Sequence, residues 1–240
     1  MVAAEVSGPG EVGHTHADIS GGWLRAAVFG AMDGLVTNIA LVAGVGGGGA
    51  SPRIIVLSGV AGLVAGAFSM ALGEYSSVST QNNALLAEVA KERVELERSP
   101  DAERAELVTM YQEAGLSRKT AERAASEIHA DPERAVRTHI THELGLDPQD
   151  MPSPITAAVS SFFCFAVGAI LPLLSYLFGM SSLLAGLGVG AVGLFASGAI
   201  VARFTERPWW TGGLRQLIFG AIAAGATYGI GALIGVTVAG

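Results

Sequence analysis

Asp33 stands in an otherwise apolar run from Trp23 to Val45. It lies eight residues past Arg25, hence about 12 Å deeper along a helix rising about 1.5 Å per residue. Such a run is long enough to cross a bilayer, which needs about 20 apolar residues. An ionisable group at that depth costs several kcal/mol unless it is paired, protonated or faces a polar cavity. The chemistry open to it is cation binding or proton exchange. The alternative is a neutral Asp hydrogen-bonded to a neighbouring helix. A second set of carboxylates lies further on. Glu88, Glu92 and Glu95 follow i, i+4, i+7; Glu103 and Glu106 follow i, i+3; His139 and Glu143 follow i, i+4. On helices these spacings stack side chains one turn apart. Like charges so placed repel unless a cation sits between them. Carboxylate oxygens with one imidazole suit Fe²⁺, Mn²⁺ or Zn²⁺, whereas carboxylates alone suit Ca²⁺ or Mg²⁺. The alternative is a solvated acidic face with Lys91, Arg93, Arg98 and Arg104 interleaved.

Two further sets of residues offer less. His14 and His16 form a pair in the N-terminal tail that can touch a metal weakly. His139-Ile-Thr-His142-Glu143 has metalloprotease residue types, but not in the His-Glu-x-x-His order. No convincing nucleophile–base pair is present, so no enzyme is expected.

The elements that must position these residues read as membrane helices. Half the residues are hydrophobic, 15% are charged and mean hydropathy is +0.49. The net charge of −7 is unevenly spread: residues 84–150 hold 15 of the 21 acidic and 9 of the 14 basic side chains. This pattern predicts one membrane domain with one hydrophilic insertion. No basic nucleic-acid footprint exists. The lone Cys164 falls in an apolar run and gives neither a disulfide framework nor a thiolate site.

Five spans are predicted, at about 23–45, 54–76, 155–178, 183–202 and 214–236, with Pro172 kinking the third. Trp209-Trp210 belongs to the loop before the fifth, in the interfacial belt. Met1 to Ser20 lacks the basic start and apolar stretch of a cleavable signal and reads as a disordered tail. The expected fold is therefore an all-α membrane protein of five transmembrane helices. Its domains are a tail (1–20), helices 1–2 (21–83), an acidic helical module (84–150) and helices 3–5 (151–240). Pro, Gly and capping residues divide the module into helices of about 84–98, 100–114, 118–129 and 132–144, the first continuous with span two.

Arg25, Arg203, Arg207, Arg215 and the module's nine cations fall on one side of a five-span chain; the opposite side has only Arg53. That side is expected to be cytoplasmic, in a cell (plasma or inner) membrane, with the N-terminus and residues 84–150 inside. The pairs Gly30/Gly34, Gly62/Gly66, Gly186/Gly190 and Gly225/Gly229 offer small faces for helix packing. If span two starts outside at Ile54, Met70 lies about 24 Å in and roughly 6 Å from the cytoplasmic face of a ~30 Å core. Asp33 and Met70 then share one site, with Thr37 stacked on Asp33 and Glu74 on Met70. The odd number of spans requires a dimer for any two-fold pathway.

Met32-Asp33-Gly34-Leu35-Val36-Thr37-Asn38, with Ala65-Gly66-Ala67-Phe68-Ser69-Met70-Ala71-Leu72-Gly73-Glu74-Tyr75, resembles the vacuolar iron transporter family. The acidic module and Leu171-Pro172-Leu173 resemble it too, so the likeness covers nearly all of the chain from about residue 20. The resemblance implies a homodimer of five-span subunits that exports Fe²⁺, and often Mn²⁺, from the cytoplasm in exchange for protons. It implies a pathway metal site at Asp33 and Met70, and module ligands at Glu92, Glu95, Glu103, Glu106 and Glu143. Two positions depart from the pattern. A pathway glutamate of some members falls on Gly62, and a methionine pair of the module falls on His139-Ile140. The second change replaces a soft ligand by a harder one, which broadens metal choice towards Zn²⁺. No cofactor beyond the transported metal is expected. Glu74 is expected to pass metal from module to pore. The competing class is a membrane-anchored metal sensor or storage protein, which has no use for Asp33.

Overall fold

The computed structural model describes residues 22–204 and 208–239; the tail with His14 and His16, and Arg207, lie outside them. Among the described residues all regular structure is helical. Helix α1 (Trp23–Gly47) follows Gly22, which has a positive φ of 64°, and ends in the glycine run that precedes Ser51. Helix α2 (Pro52–Arg98) starts with Pro52 in its first turn, where a missing N–H costs nothing. Its 47 residues extend for about 70 Å, so its C-terminal half projects far beyond a ~30 Å hydrocarbon layer.

Three short helices follow: α3 (Pro100–Glu113), α4 (Arg118–His129) and α5 (Pro132–Leu144). The Ser117 hydroxyl caps α4 by accepting from the Thr120 N–H. The Asp131 carboxylate caps α5 by accepting from the N–H groups of Glu133 and Arg134. Gly145, at φ 66°, closes α5 in the left-handed region. The module boundaries expected from sequence therefore hold to within a residue or two.

The chain re-enters the apolar part at α6 (Pro154–Ile170). A 3₁₀ turn at Leu171–Leu173 and the short α7 (Leu174–Leu177) then replace the kinked continuation expected at Pro172. The bundle closes with α8 (Leu183–Phe204) and α9 (Trp209–Ala239). Trp209 and Trp210 form the first turn of α9 rather than a loop, and both are about half exposed. Among the described residues, five helical segments are long and apolar enough to cross a membrane.

Helix α1 is central, packed against α6, α9, α2 and α8. Its crossing with α6 depends on glycine. A Cβ at Gly30 would lie 2.7 Å from the Ser161 carbonyl oxygen, and Cβ atoms at Gly34 and Gly168 would overlap the carbonyls of Phe165 and Ala31. Such close backbone approach is what small residues permit in membrane helices. The Gly225/Gly229 pair differs: a Cβ at either position meets nothing within 4 Å, so these two make no close crossing within the subunit. In the insertion, α5 packs on the C-terminal half of α2 through Leu85, Val136 and Ile140, flanked by Val89, Leu96 and Met151. Burying each such aliphatic side chain contributes about 1.5–3 kcal/mol, which holds α5 in register against α2.

Candidate metal centre and membrane cavity

That register brings His139 of α5 against Glu92 of α2. The Ser99-Pro100 turn folds α3 back beside α2, adding Glu103. Glu143 follows His139 by one turn on α5. The Nδ1 of His139 lies 3.4 Å from Glu92 Oε1, 3.5 Å from Glu143 Oε1 and 3.9 Å from Glu103 Oε2. His139 is fully buried and Glu92 is 4% exposed, which removes the solvated-face alternative for these two. Glu92, Glu103 and His139 each place one ligand atom within 4.8 Å of the others. Among the described residues no Lys or Arg forms an ion pair with Glu92, Glu103 or Glu143. Glu92 Oε1 and His139 Nδ1 are buried without a hydrogen-bond partner. Buried polar atoms are rarely left so, and two orphaned donor atoms converging on one point suit a divalent cation.

The electrostatics agree. Burial first, then the neighbouring charges of Glu143, Glu103, Glu95 and Glu106, push the Glu92 carboxyl up to about 7. Glu103 is also raised, by burial and by Glu106, with His139 opposing. The other expected ligands separate. Glu95 and Glu106 are exposed and act on Glu92 through their charge. Glu88 pairs with Lys91 at 3.5 Å and belongs to the solvated face.

Sequence reasoning missed His129. Its Nε2 lies 3.2 Å from His139 Nε2, and the two rings meet edge to face with centroids 5.4 Å apart. A signal was available: Ala121, Ala125 and His129 recur every four residues, and the two alanines are the buried face of α4. Burial, His139 and Arg104 hold the His129 imidazole below its ordinary range.

In the bundle, Asp33 and Thr37 of α1, Met70 and Glu74 of α2, and Phe165 of α6 line one cavity of about 330 Å³. Thr37 follows Asp33 by one turn of α1 and lines the cavity beside it. Phe29 and Gly73, both exposed, complete its lining. Glu74 is buried, but its carboxylate is engaged: Arg25 Nη2 donates to Glu74 Oε2 at 2.7 Å. Glu74, expected from sequence to pass metal to the pore, is thus held in an ion pair, because a buried charge needs a partner and Arg25 of α1 is within reach. At Gly62 an added Cβ would meet Leu41 Cδ1 at 2.8 Å and Asn38 Oδ1 at 3.6 Å. Asn38 is buried; its Nδ2 donates to the Ala169 carbonyl and its Oδ1 has no partner.

A bundle of five membrane-length helices with a carboxylate inside, extended by a helical insertion whose carboxylates converge on an imidazole, defines an integral membrane protein with the residue types of a cation site in each part. The chain belongs to the VIT family, which it matches over residues 24–232. It is 36% identical over 220 residues to a vacuolar iron transporter of Acanthamoeba castellanii, covering 88% of this chain and 78% of that protein. It is 35% identical over 240 residues to vacuolar iron transporter homolog 1 of Oryza sativa subsp. japonica, with 95% and 80% covered. Vacuolar iron transporter 1 of the same plant is 30% identical over 214 residues, with 88% and 85% covered.

Proposed function

We propose that this chain moves a divalent metal ion, Fe²⁺ and also Mn²⁺, out of the cytoplasm in exchange for protons, as a homodimer in the membrane. One observation carries the reading: Asp33 and Met70, on neighbouring helices, line a single cavity within the membrane-length part of the bundle. A carboxylate and a thioether together suit a borderline cation such as Fe²⁺. An anchor for a sensor or storage module has no need of a buried carboxylate there. The relatives' names support iron as the cargo.

The insertion collects the ion through Glu92, Glu103, Glu143 and His139, with Glu95 and Glu106 adding negative potential at the rim. The imidazole also admits Zn²⁺. Glu74 lines the cavity one turn nearer the insertion along α2 than Met70, and an arriving dication displaces Arg25 from it. Asp33 and Met70, doubled by a second copy across the exposed side of the cavity, hold the ion, with Thr37 orienting the Asp33 carboxylate. A proton reaching Asp33 from the far side releases it, because a neutral carboxyl is a poor ligand. Arg25, Arg203, Arg215 and the insertion share one side, which the excess of Lys and Arg assigns to the cytoplasm. That orientation is the same in a cell membrane and in a vacuole-type membrane.

The test is metal flux in sealed proteoliposomes with internal pH recorded. Asp33→Asn keeps the side-chain volume and is expected to reduce proton-driven Fe²⁺ flux to that of protein-free vesicles. Flux equal to the parent would remove Asp33 from the pathway and favour the sensor or storage reading.

A further inference from the structure

His129 takes no direct part in the ligand set above, yet its ring nitrogen abuts that of the buried His139. The geometry points to His129 as the positioning residue of the insertion's metal centre: its Nε2 accepts the Nε2–H of His139, which leaves His139 Nδ1 as the lone-pair donor to a divalent cation held with Glu92, Glu103 and Glu143. This rests on the metal-collecting role proposed for the insertion.

The direction of the bond follows from the groups on either side of the His139 ring. Three carboxylate oxygens surround Nδ1 at 3.4, 3.5 and 3.9 Å. Those oxygens carry no proton in their charged form, so a cation among them requires an unprotonated Nδ1. A neutral imidazole carries one N–H, which must then reside on Nε2. Full burial of His139 denies that N–H any water. The nitrogen facing it at 3.2 Å is His129 Nε2. An N–H to an acceptor on the far side of a ligating histidine fixes its tautomer and ring orientation. In this chain an imidazole fills that role in place of the usual carboxylate or carbonyl. It adds no negative charge to a centre already crowded with carboxylates. His129 is held for the task as the last residue of α4, packed through Ala121 and Ala125 immediately before the Asp131 cap of α5.

The test uses the full-length chain in detergent micelles with ¹⁵N-labelled histidine. His129→Phe keeps a ring edge against His139 but removes the acceptor; His129→Gln restores an acceptor. In the Zn²⁺-loaded protein, His139 is expected to show an Nε2–H proton shifted downfield by the bond. The shift should vanish in His129→Phe and return in His129→Gln. Titration with Zn²⁺ should show affinity weakened about 10- to 100-fold in His129→Phe, with most of the loss recovered in His129→Gln. An unmoved His139 resonance, or parental Zn²⁺ affinity, in a folded His129→Phe overturns the assignment. If the parent itself binds no Zn²⁺ or Mn²⁺, the collecting role falls and the positioning role of His129 with it; if the parent binds metal and His129→Phe binds it equally, only the role of His129 falls. Should His129→Phe not fold, His129→Met, a weak acceptor at most, takes its place beside His129→Gln.

Discussion

The insertion and the membrane cavity solve the same electrostatic problem in opposite ways. In the insertion, Glu92, Glu103 and Glu143 gather around one imidazole, with no Lys or Arg among the described residues bonded to them. In the cavity, Glu74 is matched by Arg25. Repulsion is tolerated where water and rim charges lie close by and a dication can relieve it. Within the apolar bundle the cost of an unmatched charge is higher, so the buried Glu74 is paired. The insertion therefore gathers its candidate ligands from one chain, whereas the cavity offers only the Met70 thioether and the Asp33 carboxylate beside the paired Glu74.

The sharpest break between the two regions is expected in Asp33→Asn. Flux should be lost while Mn²⁺ binding by the insertion, measured by calorimetry on the same protein, stays at the parent value. Loss of both would mean that the regions do not act separately. The converse variant, Glu92→Gln/Glu103→Gln, should weaken Mn²⁺ binding about 100-fold, on the order of 3 kcal/mol. Saturating metal should still be transported. Parental binding in this variant would make the acidic cluster a solubilising surface only.

Arg25→Gln makes the cavity resemble the insertion by leaving the Glu74 carboxylate unmatched. Because Arg25 is largely exposed, the expected cost is on the order of 2 kcal/mol, below that of a fully buried pair. Adding Glu74→Gln should restore the melting temperature. The single variant should lower the apparent KM for metal, since no guanidinium has to be displaced. An unchanged KM would show that Glu74 is not on the route.

The smallest effect is one of pH. The Glu92 carboxyl sits at about 7 against an ordinary 4.5, so the folded, metal-free insertion binds this proton more tightly than the unfolded chain. The corresponding stability is complete below the ordinary carboxylate value and is lost as pH rises through about 7. Between about pH 6 and pH 8 this amounts to about 1 kcal/mol. Hydrogen-exchange protection over residues 85–144, taken relative to the intrinsic exchange rate at each pH, should accordingly rise on acidification in metal-free protein. Glu92→Gln should flatten the trend. Bound Mn²⁺ should reverse it, because the ligands must then be deprotonated. Protection that falls towards pH 6 without metal would contradict the burial of Glu92.

The amino-acid sequence by itself determined the helices, because their signals are local. Apolar run length set the five spans, and Ser99-Pro100, Ser117, Asp131-Pro132 and Gly145 set the breaks of the insertion through capping and restricted backbone angles. Asp33 declared itself because a lone carboxylate in an apolar run has few uses. Helical spacing narrowed the insertion to a few carboxylates and His139, but could not tell Glu92, which faces inward, from Glu88, which pairs with Lys91. That choice depends on the rotation of α2, which the packing of Val136 and Ile140 against Leu85 decides. The Arg25–Glu74 pair joins residues 49 positions apart, and the His129–His139 contact joins the end of one helix to the middle of the next. Both exist only once helices pack, because side-chain proximity across elements is a property of their relative position rather than of either segment.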